Sequence, residues 1–333
     1  MTPKPIQAAQ RRRSSHKMTL AQPTLRGTGL LALCWSIAIA VVLGLGHATR
    51  VGWLVPAITS PAPNETRMIL LDLDRMLPVR LHGIINPLFD PSLSPDRQML
   101  VYSAKQSTDT FGAGEITLRT VATGAEQRLT RDSIPDTSPD WSPDGSQIVF
   151  VSLRDFNTDL YLFDLASGAI QRLTDASRPD FDPDWSPDGH TLAYVSYDDE
   201  NDSDLFLLDA TCGGICGRNA RQLIDDPGYD LQPTWSPDGK ALAFISDRDG
   251  DGFQVFLLLG DCLALDQPCV GIRRLTDDIA ARFELTWTRQ GELLALVARA
   301  QGIDIYKLRV DCDQPQTGCA AISLGSVGGG VAG

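Results

Sequence analysis

Histidine is scarce in this chain, and the motif that carries the nucleophile of α/β-hydrolases is missing. Four of the 333 residues are histidine, namely His16, His47, His82 and His190. A Ser–His–Asp triad needs one of them beside a serine, and no G-x-S-x-G sequence occurs to position that serine. We therefore expect that this chain is not an enzyme.

Acidic residues are absent from the first 26 positions, which hold six lysines and arginines. The whole chain has a formal net charge of −13, so residues 27–333 carry −19. A body of this charge repels the phosphates of nucleic acids. Nucleic acid is therefore not expected as a partner.

Charged side chains are missing altogether from residues 27–49. These 23 residues are enough for a membrane-spanning helix, which needs about 20. The basic residues precede the segment, and the positive-inside rule then places them in the cytoplasm and the body of the chain outside. We predict a basic cytoplasmic tail (1–26), a transmembrane signal-anchor helix in the cell membrane (27–49) and a Pro-rich linker (50–67).

A cleaved signal peptide is the alternative explanation of the same apolar segment. Gly46 and Ala48 put small residues at the −3 and −1 positions of a cleavage site. Cleavage would leave a secreted or periplasmic protein. Both alternatives export the body of the chain.

Cysteine is infrequent, but its spacing is regular. Apart from Cys34 in the apolar segment, the cysteines form three close pairs, which are Cys212/Cys216, Cys262/Cys269 and Cys312/Cys319. Each pair can close a small loop, and disulfides persist outside the cytosol. Zinc would need four ligands in one place, whereas these pairs lie in separate repeats. We therefore predict three local disulfides.

The sequence WSPDG occurs three times, at Trp141–Gly145, Trp185–Gly189 and Trp235–Gly239. Ser-Pro-Asp-Gly fits a type I turn, in which Pro presets φ and Gly closes the turn. Around each turn the pattern predicts four short strands, in units 44 and 50 residues apart. Such a unit is typical of a propeller blade.

Two further units are degenerate, PSLSPDR before the three copies and RFELTWTRQG after them, and residues 68–83 read like the last two strands of another unit. We therefore predict an all-β fold, a β-propeller of about six four-stranded blades over residues 68–325 with one blade incomplete. A five-bladed ring closed by the N-terminal strands is the alternative. Residues 326–333 are expected to be a flexible Gly-rich tail.

The repeated pattern D-x-x-P-x-W-S-P-D-G resembles the TolB-type family of WD-like propeller repeats. The resemblance spans residues 68–325. It implies a protein-binding module of the cell envelope or an accessory domain of a peptidase.

Three aspartates recur five residues before the tryptophan of each unit, namely Asp136, Asp180 and Asp230. The first strand of a blade lines the central channel, so the symmetry of a propeller would bring these aspartates to one channel mouth. There they could bind a cation, a basic peptide or an amine. The alternative is a structural role, in which loop amides or Arg154 and Arg248 neutralise them.

The stretch DRDGDG begins like a calcium-binding loop. Asp247, Asp249 and Asp251 stand at alternate positions, as the first ligands of such a loop do. The twelfth position, which takes a glutamate, is Leu258. Asp-Gly pairs are also favoured in hairpin turns. We interpret the stretch as a hairpin turn and calcium binding as the weaker alternative; no other cofactor is expected.

These expectations combine into a membrane-anchored, extracytoplasmic propeller that binds a protein, a peptide or a glycan in the cell envelope without catalysis. Two alternatives remain. One is an envelope hydrolase or lyase whose active site is a carboxylate-lined channel mouth. The other is a sensory ectodomain, which would need a separate signalling partner because 26 cytoplasmic residues hold no output domain.

Overall fold

A computed structural model describes residues 56–62, 65–72, 77–79, 88–105, 114–132, 134–197, 202–263, 271–277, 283–299, 302–311 and 321–327. In these residues the regular structure is β, apart from short 3-10 helices at Cys216–Asn219 and Gly260–Leu263. None of the described residues belongs to a helix of the length and hydrophobicity that a bilayer crossing requires. The predicted cytoplasmic tail and transmembrane helix lie outside the described residues.

The described strands form six antiparallel sheets, one with three strands and five with four. The three-stranded sheet contains β1 (Pro56–Ala62), β2 (Glu65–Asp72) and β3 (Leu77–Val79). Blade 1 contains β4 (Leu88–Leu93), β5 (Met99–Lys105), β6 (Gly114–Thr120) and β7 (Glu126–Arg128). Blade 2 contains β8 (Asp136–Trp141), β9 (Gln147–Ser152), β10 (Asp159–Asp164) and β11 (Ile170–Arg172). Blade 3 contains β12 (Asp180–Trp185), β13 (Thr191–Tyr197), β14 (Ser203–Asp209) and β15 (Arg221–Gln222). Blade 4 contains β16 (Asp230–Trp235), β17 (Ala241–Ser246), β18 (Gln254–Leu259) and β19 (Ile272–Arg274). Blade 5 contains β20 (Phe283–Trp287), β21 (Leu293–Arg299), β22 (Gly302–Leu308) and β23 (Ile322–Val327).

The β-propeller predicted from the repeats is confirmed, with the five four-stranded blades of the five-bladed alternative. Strand β3 and β2 from residue 68 onward fall in the partial unit predicted at 68–83, and β1 lies beside β22 of blade 5. The predicted linker 50–67 is wrong for β1 and the start of β2. Its prolines are compatible with a strand because β1 is an edge strand of its sheet, where a missing N–H donor costs least. Strand β23 also extends two residues into the predicted tail.

The Ser-Pro-Asp-Gly turn forms the same hydrogen bonds in blades 2, 3 and 4. In blade 2 the N–H of Gly145 donates to the carbonyl oxygen of Ser142 at 2.9 Å. The hydroxyl of Ser142 donates to Asp144 and accepts the N–H of Gln147. Gly145 has φ +73°, a conformation that costs glycine little. The recurrent Asp and Ser of the motif are therefore turn residues, as the repeat predicts.

The recurrent tryptophan joins successive blades. The indole N–H of Trp141 donates to the carbonyl oxygen of Ser92 in blade 1 at 3.1 Å, and Trp287 bonds Thr234 in blade 4 in the same way. These tryptophans are buried in apolar clusters that fill the spaces between neighbouring blades. Burial of each such side chain contributes about 2–3 kcal/mol. The tryptophan of the motif thus contributes contacts between neighbouring blades.

The blades have two ends that differ in their loops. The first strand of each blade begins at the end that also carries the loop between second and third strands, and we name it the upper end. The Ser-Pro-Asp-Gly turns and the loops between third and fourth strands lie at the lower end. First strands of successive blades lie side by side, so the residues that begin them are placed around one axis.

Candidate functional site

The three predicted aspartates begin the first strands of blades 2, 3 and 4. Asp136, Asp180 and Asp230 are all buried. Each pairs in register with the serine that ends or nearly ends the second strand of its blade. The structure therefore places all three at the upper end, in equivalent positions.

Two of the three aspartates are neutralised by arginines of their own blade. Arg154 contacts both carboxylate oxygens of Asp136 at 3.1 Å, and Arg248 contacts Asp230 at 2.7 Å. Each guanidinium also lies over two aromatic rings. For Arg154 these are the rings of Phe150 and Tyr161, whose centroids lie 5.2 and 4.8 Å from the guanidinium carbon. These contacts are the ones that the structural alternative proposes. Ligand binding by these two aspartates stays a prediction.

Burial raises the pKa of these two carboxyl groups even though each is paired with an arginine. Burial raises the pKa of Asp136, and the hydroxyls of Ser152 and Thr130 together with Arg154 offset part of the rise. Burial also raises the pKa of Asp230, to about 6, against the opposing effect of Arg248. Loss of either arginine would therefore leave a poorly solvated charge in the blade.

Asp180 in blade 3 has no such arginine among the described residues. The repeat aligns Arg154 and Arg248 with Asp198, which lies outside the described residues. Asp180 is 1% exposed, and neither of its oxygens accepts a hydrogen bond of ordinary geometry from the described part of the chain. Burial, with a smaller effect of the charge of Asp159, raises its pKa to about 6, although the hydroxyls of Ser196 and Thr174 and the charge of Arg172 lower it. In the described structure, blade 3 thus holds a carboxylate that no described arginine contacts.

The aromatic pair that carries the arginine in blades 2 and 4 is also present in blade 3. Tyr194 and Phe206 occupy the equivalent positions, with ring centroids 5.6 Å apart. Burial, and to a smaller extent the charge of Asp180, raises the pKa of Tyr194. The described residues of blade 3 therefore supply the carboxylate and the rings of the cation site but not the cation.

A second set of buried acids, which the sequence reasoning missed, stands near the start of the third strands. Its members are Glu115, Asp159 and Asp204. Arg172 contacts Asp159 at 2.6 Å, and Gln222 donates to Asp204 at 2.7 Å. Burial, with the neighbouring charges of Asp202 and Asp230, raises the pKa of Asp204 to about 7. The signal that could have found this set is an acidic residue placed directly before the first buried aliphatic residue of the third strand in blades 1, 2 and 3.

Four arginines at the upper end are shared among aspartates, and the exposed Arg128, Arg131 and Arg178 lie at the same end. Arg154 pairs with two, Arg172 with two, Arg248 with two and Arg274 with three, among the described residues. Each of these groups therefore keeps a net negative charge. Asp180 adds another charge that no described arginine contacts.

The aspartates of the calcium candidate lie in the turn between β17 and β18, as the hairpin interpretation predicts. Asp249 and Asp251 contact Arg274 at 2.7 and 2.9 Å. Asp247 accepts the N–H of Tyr229 at 2.7 Å. Two of these carboxylates therefore pair with an arginine, and the third accepts a hydrogen bond from a backbone amide. Calcium binding at these residues stays a prediction.

One group of acids in the described residues has oxygens close enough to share a metal ion. Oxygens of Glu115, Asp132 and Asp136 lie within 4.8 Å of one another. Arg154 contacts Asp132 at 3.5 Å and Asp136 at 3.1 Å. A guanidinium therefore already neutralises part of this group.

The first of the predicted disulfides is present, between Cys212 and Cys216, with Cα atoms 5.7 Å apart. Cys216 is buried against blade 2, where Gln171 donates to the carbonyl oxygen of Gly214 at 2.8 Å. The closed loop thus fastens blade 3 to the outer strand of blade 2.

The other two predicted disulfides, Cys262–Cys269 and Cys312–Cys319, fall on parts of the chain that the structure leaves undescribed. Cys269, Cys312 and Cys319 lie outside the described residues. Cys262 belongs to the 3-10 helix Gly260–Leu263, but its side chain is not described. The structure therefore bears out one of the three predicted bonds, and the pairing of Cys262 with Cys269 and of Cys312 with Cys319 stays a prediction.

The lower end carries a small apolar cavity and the one described histidine. The cavity, about 180 Å³, is lined mainly by Trp and Pro of several blades, including Trp141, Pro143, Pro187 and Trp235. His190 is exposed on the turn that follows Gly189. Neither lies near the carboxylates at the upper end.

The family comparison agrees with the repeat and with the fold. The TolB β-propeller domain family matches residues 46–216, about half of the chain. This chain belongs to the TolB β-propeller domain family. No curated protein sequence matches it.

Solved structures of low sequence identity share the fold. The putative TolB from Agrobacterium tumefaciens is 23% identical, with a TM-score of 0.55 over 68% of this chain and 81% of that one. TolB from Acinetobacter baumannii is 17% identical, with a TM-score of 0.55 over 94% and 75%. An oligogalacturonate lyase from Vibrio parahaemolyticus is 13% identical, with a TM-score of 0.55 over 86% and 77%. Because proteins of different names share this fold, the fold alone does not determine the function.

Proposed function

We propose that this protein is a non-catalytic binding module that holds a basic protein or peptide at the upper end of its propeller. The observation that carries the proposal is the shortage of cations there. Four arginines at this end are each shared by two or more aspartates, and no described arginine makes an ion pair with Asp180. The exposed Arg128, Arg131 and Arg178 offset only part of the negative charge there. A ligand with guanidinium or ammonium groups would neutralise the negative charge that these carboxylates retain.

Blades 2 and 4 indicate how a ligand cation would be held in blade 3. In blade 4 the guanidinium of Arg248 is in contact with Asp230 and lies 5.0 and 4.9 Å from two ring centroids. An arginine side chain suits this arrangement because it pairs with a carboxylate and stacks on rings at the same time. A ligand arginine in blade 3 would therefore repeat an interaction that the chain already makes twice.

The proposed location is the outer face of the cell membrane, with residues 27–49 as the anchor. Its support is the uncharged segment that follows the basic tail, together with the disulfide Cys212–Cys216, since such a bond persists outside the cytosol. Removal of the anchor by cleavage would instead yield a secreted or periplasmic protein, and mass spectrometry of the mature N-terminus distinguishes the two outcomes.

The proposed binding can be tested with an oligo-arginine peptide and a citrulline peptide of the same length, which keeps the shape and loses the charge. Titration calorimetry of the full-length protein in zwitterionic nanodiscs should show salt-sensitive binding of the arginine peptide alone. In Asp180→Asn the affinity should fall by about tenfold or more, which corresponds to about 1.4 kcal/mol or more.

A matched control variant is Asp311→Asn, which removes the same charge from an exposed position at the lower end, away from the proposed binding surface. It should change the affinity by less than about twofold. Equal losses in the two variants, or equal binding of the citrulline peptide, would contradict the proposal.

A further inference from the structure

Phe156 stands alone in solvent at the upper end of blade 2. Its exposed fraction is 102%, so its ring touches none of the described residues, and Leu153 in the same turn is 46% exposed. A singly exposed aliphatic residue is ordinary on a protein surface. A phenylalanine with its whole ring in water keeps an apolar area that the fold does not use.

The backbone at this phenylalanine is in a conformation that favours glycine. Phe156 has φ +64°, and the equivalent residue of blade 4, Gly250, has φ +74°. The two turns are closed by the same backbone hydrogen bond. The N–H of Phe156 donates to the carbonyl oxygen of Leu153 at 3.1 Å, and the N–H of Gly250 donates to the backbone carbonyl oxygen of Asp247 at 2.8 Å. A residue with a Cβ is strained in this region. Blade 2 therefore has a strained aromatic residue where blade 4 has glycine.

The residues on either side of Phe156 fix the turn. Arg154 is bonded to Asp136, and Asp155 accepts the hydroxyl of Tyr161. The side-chain amide of Asn157 donates to two carbonyl oxygens of the loop that leads into blade 3, at 2.7 and 3.0 Å. The backbone that carries the ring is consequently fixed, so little backbone conformational entropy would be lost when the ring is bound.

We propose that Phe156, with Leu153 beside it, is an apolar anchor that inserts into a pocket of a separate protein with basic residues around that pocket. Strain that the fold does not need indicates a function at the strained residue. Aromatic side chains that fill a pocket of the partner often contribute much of the binding energy of a protein interface. The inference rests on the proposed function for the basic character of the partner and adds where that partner docks.

The charges around the anchor select this occupant over two others. Asp155 and Asp132, which flank Arg154, are about half exposed. The exposed Arg131 and Arg178 offset part of this charge, and the acidic clusters around Arg248 and Arg274 extend it across the upper end. A second copy of this chain would bring an equally acidic end against them, and an anionic lipid surface would repel them. A protein with a basic rim around an apolar pocket is complementary to both the charge and the ring.

Photo-crosslinking in intact cells of the source organism tests the site directly. The photoreactive benzoylphenylalanine replaces Phe156 in the full-length chain, and a control chain carries it at Ile170, which is exposed at the lower end of blade 2. The expected product is a crosslink to one other protein from position 156 alone, identified by mass spectrometry. A crosslink to lipid, to a second copy of the chain, to the same protein from both positions, or to nothing overturns the proposal.

Two substitutions then separate binding from stability. Phe156→Gly should leave the melting temperature unchanged or raise it by up to about 3 °C, because it relieves the strained φ, and should weaken binding of the purified crosslinked protein by about tenfold or more. Gly250→Phe should lower the melting temperature by a similar amount and leave that binding unchanged. Unchanged affinity in Phe156→Gly would refute the anchor. Binding of the arginine peptide is a separate readout, so failure of the anchor and failure of the proposed function can be told apart.

Discussion

The substitution Asp180→Asn should stabilise the protein, and the effect should depend on pH. The carboxyl group is buried with no cation among the described residues, and burial raises its pKa from 3.8 to about 6. Because the folded-state pKa lies above the unfolded-state one, the stability that it contributes is fully present below pH 3.8 and is lost as the pH rises through about 6. Asparagine has the same shape and never carries the charge.

The size of the effect follows from the two pKa values. A rise from 3.8 to about 6 corresponds to at most about 3 kcal/mol at pH 8 and to less than about 1 kcal/mol at pH 4. For a chain of this size the melting temperature at pH 8 should rise by roughly 5 °C. Thermal unfolding of the full-length protein between pH 4 and pH 8 measures both numbers.

The control for this experiment is the exposed variant Asp251→Asn, whose melting temperature should change little at any pH. A lower melting temperature for Asp180→Asn at pH 8 would refute the reasoning. It would mean that the charged carboxylate of Asp180 stabilises the fold.

Three further predictions concern the arginines and the disulfide. Arg248→Met should destabilise the protein by about 2 kcal/mol at pH 8, because it leaves Asp230 buried without a cation. At pH 5, where that aspartate is protonated, the loss of stability should be smaller. Urea unfolding at both pH values checks this, and an equal loss at both would contradict it. Asp198→Arg should supply blade 3 with the cation that blades 2 and 4 have. It should raise the melting temperature and weaken binding of the arginine peptide, as measured by titration calorimetry. An unchanged melting temperature together with an unchanged affinity would count against an open cation site. Replacement of Cys212 and Cys216 by serine should cost about 2 kcal/mol or less, since the closed loop is short, as urea unfolding with and without reductant would show.

The sequence was sufficient to predict the blades because their signals are local. Ser-Pro-Asp-Gly encodes its own turn, and each Trp marks the end of a first strand, so three intact copies set the register of the units. The strand β1 was not predicted, since its prolines look like a linker until the edge position of the strand is known. Its pairing with β2 is a tertiary fact that no local pattern contains.

The candidate site was only partly predictable, because it depends on differences between repeats. The repeat placed Asp136, Asp180 and Asp230 in equivalent positions, and Arg154 and Arg248 were recognised as candidate partners. That no described arginine contacts Asp180, and that its oxygens accept no hydrogen bond of ordinary geometry there, follows from contacts between strands. The strain at Phe156 could not be predicted either, since a phenylalanine in a polar turn gives no indication of its φ until the turn of blade 4 is superimposed on it.

Proton release on binding tests the central claim most directly. A ligand cation that pairs with Asp180 must ionise it, and at pH 6 that carboxyl is about half protonated in the free protein. Titration of the arginine peptide in buffers of different ionisation enthalpy should therefore show about half a proton released in wild type beyond the value for Asp180→Asn. Equal proton release in wild type and Asp180→Asn would contradict the account.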